Sequence, residues 1–292
     1  MLLIFNPAAG ARRRRRFERV AGALAEAGLR FAVADTTAAG DAERLAREAV
    51  AAGIRIVVAA GGDGTIAEVA NGIAGTATAL GVIPTGTANV FAHDLGLPFA
   101  PAAIAAALGR GRTRAVLPGR ARFADGHERL FIQMLGVGFD AAIVAALDAA
   151  LKRRIGRGAY VVETLRQLSA WSFPRLAITC DGVAMEAAQV IATKGRFYGG
   201  RFLLAPAARH DAAGLVACLF ARGGPWAAAL AGLALPLGLL PRLPGFSAEP
   251  VSTLAVEGPA GLPVQADGDL VGRTPVTVTG EATPLAVIVP AL

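Results

Sequence analysis

The chain has 292 residues, against ~100–200 for a typical domain, so two domains are expected. Hydrophobic residues make up 54% and charged residues 17%, which excludes a wholly disordered chain. Lys and Arg number 29 against 22 Asp and Glu, and the net charge of +7 favours anionic partners: phosphates, nucleic acid or an acidic membrane surface.

Leu2–Phe5 is a short apolar run, too short for a signal-peptide core, and the basic run Arg12 to Arg16 follows rather than precedes it. A soluble, intracellular chain is expected. Helical content over Arg13–Gly28 leads to a strand at Arg30–Ala34 and a helix at Asp41–Ala52, closed by Gly53. Ile54–Ala60 reads as a strand, Thr65–Ile73 as a helix, Ala79–Ile83 as a strand and Ala88–Leu95 as a helix. Such alternation predicts βαβ units, a parallel sheet and ligands at the carboxyl ends of its strands.

Near Thr113–Gly119 the pattern changes, which predicts domains 1–115 and 116–292, the last residues being candidates to return to the first. Arg120–Phe123 and Arg129–Leu135 flank Asp125-Gly126, and Pro174–Cys180 and Ala184–Thr193 flank Asp181-Gly182; both read as hairpins. Short strands follow at Leu254–Glu257, Pro263–Ala266, Pro275–Val278 and Leu285–Val289, with helices over Ala141–Leu151 and Ala159–Ala170. This half predicts an antiparallel β-sandwich. Gly223 to Pro241 is apolar, but its four glycines and three prolines make it a buried or interfacial helix rather than a membrane span.

Cys180 and Cys218 are too few for a disulfide scaffold or a four-cysteine zinc site, and both sit in apolar runs that predict buried thiols. His93, His127 and His210 lack zinc-ligand spacing. The strongest chemical signal is Gly61-Gly62-Asp63-Gly64-Thr65, directly after a strand. Its glycines allow close backbone approach, and Thr65 is placed to cap a helix whose N-terminus attracts anions. Asp63 repels a bare phosphate, which suggests a magnesium-bound nucleotide. Pro84-Thr85-Gly86-Thr87-Ala88-Asn89 is a second Gly- and Thr-rich turn, and Asn6-Pro7-Ala8-Ala9-Gly10 is a third turn. The arginine run has two readings, a solvated helix start or a contact for phosphates or anionic headgroups. Lys152-Arg153-Arg154 and Arg157 form a second basic cluster. Nucleic-acid binding would predict interleaved aromatics, and only Phe17 directly adjoins either run.

These three turns together resemble the diacylglycerol-kinase catalytic family of lipid kinases. The resemblance continues in Gly136-Val137-Gly138-Phe139-Asp140, Gly156 to Tyr160, Tyr198-Gly199-Gly200 with Ala205-Pro206, and Gln265-Ala266-Asp267-Gly268-Asp269. It implies an α/β nucleotide-binding domain with a parallel sheet, an antiparallel β-sandwich for the lipid, and a site in the cleft between them. It further implies ATP and Mg²⁺ as cofactors. By position, Asn6, Thr36, Gly61, Gly62, Asp63, Gly64, Thr65 and Thr87 would bind the nucleotide, with Asp63 close to the magnesium. Asp267 and Asp269 would be the catalytic carboxylates that activate a lipid hydroxyl, although by spacing alone Asp267 to Asp269 is an ordinary hairpin turn. The implied partner is a lipid substrate at an anionic membrane surface, reached peripherally from the cytoplasmic side, with no nucleic acid and a homodimer as a candidate assembly.

Three departures stand out. Asp269 replaces the family's Glu, Val90 replaces the Asp of its Asn-Asp pair, and Ala213 stands where an Asp-Gly-x-Leu segment holds a structural magnesium. Asp211 could compensate, but a weak or absent second metal site is expected. The alternatives are an NAD-kinase-like or other small-molecule kinase and a non-catalytic nucleotide or lipid sensor.

Overall fold

A computed structural model describes residues 1–7, 11–147 and 157–291. The Asn6–Gly10 turn beyond Pro7, the end of the helix expected over Ala141–Leu151, and Lys152-Arg153-Arg154 lie outside the described residues.

The chain divides into two compact units, Met1–Val116 with Thr283–Leu292, and Leu117–Ala282. In the first, β1 (Leu2–Phe5), β2 (Ala32–Asp35), β3 (Ile56–Gly61) and β4 (Ala79–Pro84) are joined by β20 (Leu285–Ile288) and β5 (Thr113–Val116) in the order β2-β1-β3-β4-β20-β5. The first four strands and β20 run parallel, while β5 lies antiparallel to β20. Connecting helices are α1 (Ala11–Glu26), α2 (Asp41–Ala51), α3 (Asp63–Ile73), α4 (Val90–Asp94) and α5 (Pro101–Arg110). Strands β3 and β4 are buried along nearly their whole length because helices cover both faces of such a sheet. The apolar face of α1, through Phe17, Val20 and Leu24, packs with Ile104 and Leu108 of α5 in one core.

The second unit is a sandwich. One sheet has β6 (Gly119–Phe123), β7 (Glu128–Phe131), β9 (Leu176–Cys180), β10 (Val183–Ala187), β16 (Thr253–Gly258) and β19 (Val276–Gly280). The other has β8 (Met134–Val137), β11 (Gln189–Thr193), β14 (Leu215–Phe220), β15 (Phe246–Val251), β17 (Pro263–Ala266) and β18 (Asp269–Arg273). Inward residues of both sheets, among them Phe131, Leu135, Ile178, Val190, Leu254 and Val264, form one core. A small hairpin of β12 (Phe197–Tyr198) and β13 (Phe202–Leu203), and helices α6 (Phe139–Ala146), α7 (Arg157–Ala170) and α8 (Pro225–Ala234), complete the unit.

Both predicted hairpins form, but the second strand of each is shorter than the sequence suggests. Residues 129–135 divide into β7 and β8, and residues 184–193 into β10 and β11, with each half in a different sheet. The chain crosses between the layers at Ile132-Gln133 and at Ala188. Both cysteines are free and buried, and burial pushes the Cys218 thiol up to about 12.

Candidate active site

In the first unit the register brings Phe5 beside Asp35 and Ala60, and Gly61 beside Pro84. Consequently Thr36, Asn6, the 61–65 turn and the 84–89 turn stand in a row at the carboxyl edge of the parallel strands. Thr36 is buried and its N–H donates to Phe5 O at 2.9 Å, while Asn6 N–H donates to Ala60 O at 3.2 Å.

The two glycine-rich turns touch back to back. A Cβ on Gly86 would lie 2.4 Å from Gly62 Cα, and one on Gly61 would lie 2.4 Å from Thr65 Oγ1. Gly61 O accepts the N–H groups of Thr85 and Gly86 at 3.0 and 3.1 Å. The expectation that Thr65 caps α3 is not met. The helix begins two residues earlier at Asp63, and its N-cap is Gly62, which offers no side-chain acceptor. Thr65 is buried in the first turn, where its Oγ1 accepts from Asn6 Nδ2 at 3.4 Å. The Asp63 N–H turns to its own carboxylate, and Gly62 leaves the rest of the first turn without a side-chain cap, the kind of helix start that suits an anion.

Asp63 also differs from expectation. Its Oδ1 accepts Phe91 N–H at 3.1 Å, and the N–H groups of Val90 and Asn89 also hydrogen-bond to the carboxylate. Burial pushes its carboxyl above the usual range, against the pull of those N–H groups. Asp63 therefore ties one glycine-rich turn to the helix that follows the other, and its geometry does not fit an inner magnesium ligand.

Two polar atoms at this edge suit a ligand. Thr85 Oγ1 and Asn89 Oδ1 are buried and have no hydrogen-bond partner, a costly condition that a bound polar group would relieve. The arginine run is divided by helical periodicity. Arg13 Nη2 donates to Thr87 Oγ1 at 2.7 Å, and Arg16 Nη2 donates to Phe99 O at 3.1 Å. Arg12, Arg15 and Arg19 line an outward hollow with Glu18. Thus one arginine of the run reaches the second glycine-rich turn; its neighbours give no local sign of which one.

In the second unit, motifs far apart in sequence meet. Asp267-Gly268 is the two-residue turn between β17 and β18, with Ala266 paired to Asp269 and both turn residues at positive φ. This turn is not solvated at Asp267, which is buried. Its Oδ2 accepts Ile132 N–H at 2.8 Å, and its Oδ1 accepts the N–H groups of Gln133 and Met134 at 2.9 and 3.0 Å. Those N–H groups belong to the point where the chain crosses from β7 to β8. Asp181 does the same at the Asp181-Gly182 turn, accepting the N–H groups of Ser252 and Thr253. Asp267 is thereby an anchor, with both oxygens engaged, and Asp269 is the exposed carboxylate of the pair.

Below the turn, Gly268 N–H donates to Gln265 Oε1 at 3.0 Å, and Gln265 Nε2 donates to Asp140 Oδ2 at 2.7 Å. Tyr198 O–H donates to Asp140 Oδ1, and Asp140 N–H donates to Gln189 Oε1 at 3.0 Å. Burial raises the Asp140 carboxyl, opposed by Tyr198 and Gln265. A Cβ on Gly136 would lie 2.4 Å from Asp140 Oδ2, so glycine is required beside this network.

The segment compared with a structural magnesium site does not fit a metal. Lys194, 1% exposed, donates from Nζ to the carbonyls of Ala212 and Gly214 at 2.5 and 2.6 Å. Asp211 pairs with Arg209 Nε at 2.9 Å. The ammonium already serves the carbonyls that a cation would use. Among the described residues no group of three or more His, Cys, Asp or Glu could hold a metal ion. The sequence carried no local signal for Lys194.

Comparison with known proteins follows this division. Residues 1–121 match the diacylglycerol kinase catalytic domain, and residues 133–290 match the YegS C-terminal NAD kinase beta sandwich-like domain. A YegS-like "probable lipid kinase" of Chromohalobacter salexigens is 41% identical over 52% of this chain and 48% of its own. One of Pseudomonas aeruginosa PAO1 is 36% identical over 64% of this chain and 61% of its own. The chain thus matches about half the length of these curated relatives. A crystal structure of a diacylglycerol kinase from Bacillus anthracis superposes with a TM-score of 0.74 at 24% identity, over 99% of this chain and 96% of that one, which shows the shared fold. The chain belongs to the family defined by the YegS C-terminal NAD kinase beta sandwich-like domain, whose model matches more than half of it, and its first 121 residues match the diacylglycerol kinase catalytic domain.

Proposed function

We propose that the protein is an ATP-dependent kinase that phosphorylates a lipid hydroxyl, with diacylglycerol or a related lipid as acceptor. The observation that carries this reading is the edge of the first unit. There an uncapped helix N-terminus, two abutting glycine-rich turns and the unpartnered Thr85 Oγ1 and Asn89 Oδ1 converge. First-turn N–H groups of α3 would take phosphate oxygens, and Arg13 would add positive charge beside Thr87. Asn89 Oδ1 would accept from a nucleotide hydroxyl or amine. Mg²⁺ carried on the nucleotide would neutralise charge on the phosphate oxygens.

In the transfer, a bond forms between the lipid hydroxyl oxygen and the γ-phosphorus, and the bond from that phosphorus to the β–γ bridging oxygen breaks. The hydroxyl proton passes to a carboxylate, and Asp269 has that role because the oxygens of Asp267 are occupied by backbone N–H groups. The network from Gly268 through Gln265 to Asp140 and Tyr198 holds the turn that presents Asp269. Association with the membrane is peripheral in this reading; among the described residues no helix is long and apolar enough to cross one.

Single-turnover phosphorylation of a bacterial lipid extract with radiolabelled ATP tests the reading. Wild type should label a lipid, and Asp269→Asn should slow labelling by about 10²–10⁴-fold with ATP affinity unchanged. ATP binding without any labelled lipid, across diacylglycerol, sphingoid base and phosphatidylglycerol, would turn the assignment toward a nucleotide sensor.

A further inference from the structure

Helix α8 is apolar on every face, yet only Ala234 in it is buried. Trp226 is 88% exposed, Leu230 53%, Leu233 68% and, just past the helix, Leu237 69%. The spacings of four and three residues place Trp226, Leu230 and Leu233 on one helical stripe, and Leu237 extends the exposed apolar surface just past its end. Helix α7 packs against α8 and adds Val161 and Leu165, one turn apart and both exposed. Single exposed leucines are ordinary, but a contiguous stripe headed by a tryptophan is not.

We propose that this stripe is a docking surface for a bilayer containing anionic lipid. Three observations select that occupant. From Gly223 to Pro241 no side chain except the Trp226 indole carries a polar atom, so the stripe has nothing with which to satisfy a protein partner's hydrogen bonds. From Ala212 to Ala248 there is no acidic residue, and the charged residues in that stretch are Arg222 and Arg242, exposed on either side of the helix. Cations flanking an apolar stripe match phosphate headgroups above acyl chains. Finally, the ten residues of α8 span about 15 Å, half of a hydrocarbon core, so the helix suits the interface plane. Trp226 then sits at headgroup depth, where indoles concentrate. The proposal extends the lipid-kinase reading by naming the surface through which the enzyme meets its substrate's membrane.

The chain has two tryptophans, Trp171 and Trp226, so Trp171→Phe leaves Trp226 as the sole indole, excited selectively at wavelengths beyond the absorption of the tyrosines. Mixed with phosphatidylglycerol–phosphatidylcholine vesicles, this variant should show a blue-shifted emission and quenching by brominated acyl chains. Leu233→Glu with Leu237→Glu, both at exposed positions, should weaken vesicle co-sedimentation at least about tenfold. The same double variant should phosphorylate detergent-dispersed lipid at the wild-type rate. Unchanged Trp226 emission with vesicles would overturn the proposal. So would a concentration-dependent dimer in sedimentation velocity that the double variant abolishes, since the stripe would then be a self-association face. Docking without any lipid phosphorylation would leave this proposal standing and remove the kinase reading alone.

Discussion

At the carboxyl edge of the N-terminal sheet, each candidate residue belongs to the turn that follows its own strand. In the sandwich, the candidate turn is held from far away. Asp267 takes N–H groups 133 to 135 residues earlier, and Gln265 grips Asp140 across 125 residues. Local turns put ligand binding at stake together with any strain between neighbouring turns, whereas a long-range clamp is part of the folding energy itself. Substitutions in the first region should therefore register in nucleotide affinity, and substitutions in the second in stability before anything else.

The largest expected effect is at Asp267. Asp267→Ala removes the acceptor for three buried N–H groups at the β7–β8 crossing. A loss of about 3–5 kcal/mol is expected, read as a lower urea midpoint. Asp267→Asn should cost less, because one amide oxygen still accepts. A variant that unfolds at the wild-type midpoint but no longer transfers phosphate would break the comparison and make Asp267 a chemical group.

Gly86 tests the other side. A Cβ there meets Gly62 Cα, and neither backbone has a flexible end to move aside. Gly86→Ala should cost about 1–3 kcal/mol of stability, and ATP affinity measured by titration calorimetry should fall with it. Wild-type affinity in a folded Gly86→Ala protein would mean that the two turns do not share one ligand.

The same contrast explains what could be read in advance. In the first unit, apolar runs of four to six residues alternate with glycine-punctuated helices, and each strand predicted there forms within two residues of its expected bounds. The misplaced cap is a local matter. Asp63 and Gly64 adopt helical geometry because Asp63 is held by the N–H groups at Asn89 to Phe91, a contact absent from any short window. In the sandwich, Arg129–Leu135 and Ala184–Thr193 read as unbroken strands because their apolar pattern continues through the crossing. The break at Ile132-Gln133 is imposed by the Asp267 carboxylate, and that at Ala188 is met by Phe220 O. Candidate residues were legible where a motif marked them, as with Gly61 to Thr65. The choice between Asp267 and Asp269 was not, since two carboxylates in one turn differ only in what lies opposite them. Arg13 and Lys194 were hidden for the same reason, one within a run of equals and the other in an apolar strand end.

Lys194 gives the smallest effect at neutral pH and the sharpest pH signature. Burial lowers its pKa to about 8, opposed by the charge of Asp211, which Arg209 also faces. The unfolded value is about 10.4. Between the two, the unfolded chain binds the extra proton, so stability should rise with pH from about 8 to about 10.4 and be flat with respect to this group below that window. Lys194→Met removes the rise. At pH 7 it relieves a buried charge but strips the Ala212 and Gly214 carbonyls of their donor, and these opposing changes should leave stability within about 1 kcal/mol of wild type. Urea midpoints of both proteins from pH 7 to 10.5 provide the check. If the wild type keeps a flat profile, Lys194 titrates as an ordinary exposed lysine. If chelation of divalent metal lowers the wild-type midpoint, the segment holds a metal after all and the ammonium is not its cation. That second result would return this loop to the class of ligand sites, and the division between the carboxyl edge of the first unit and a self-sufficient sandwich would have to be redrawn.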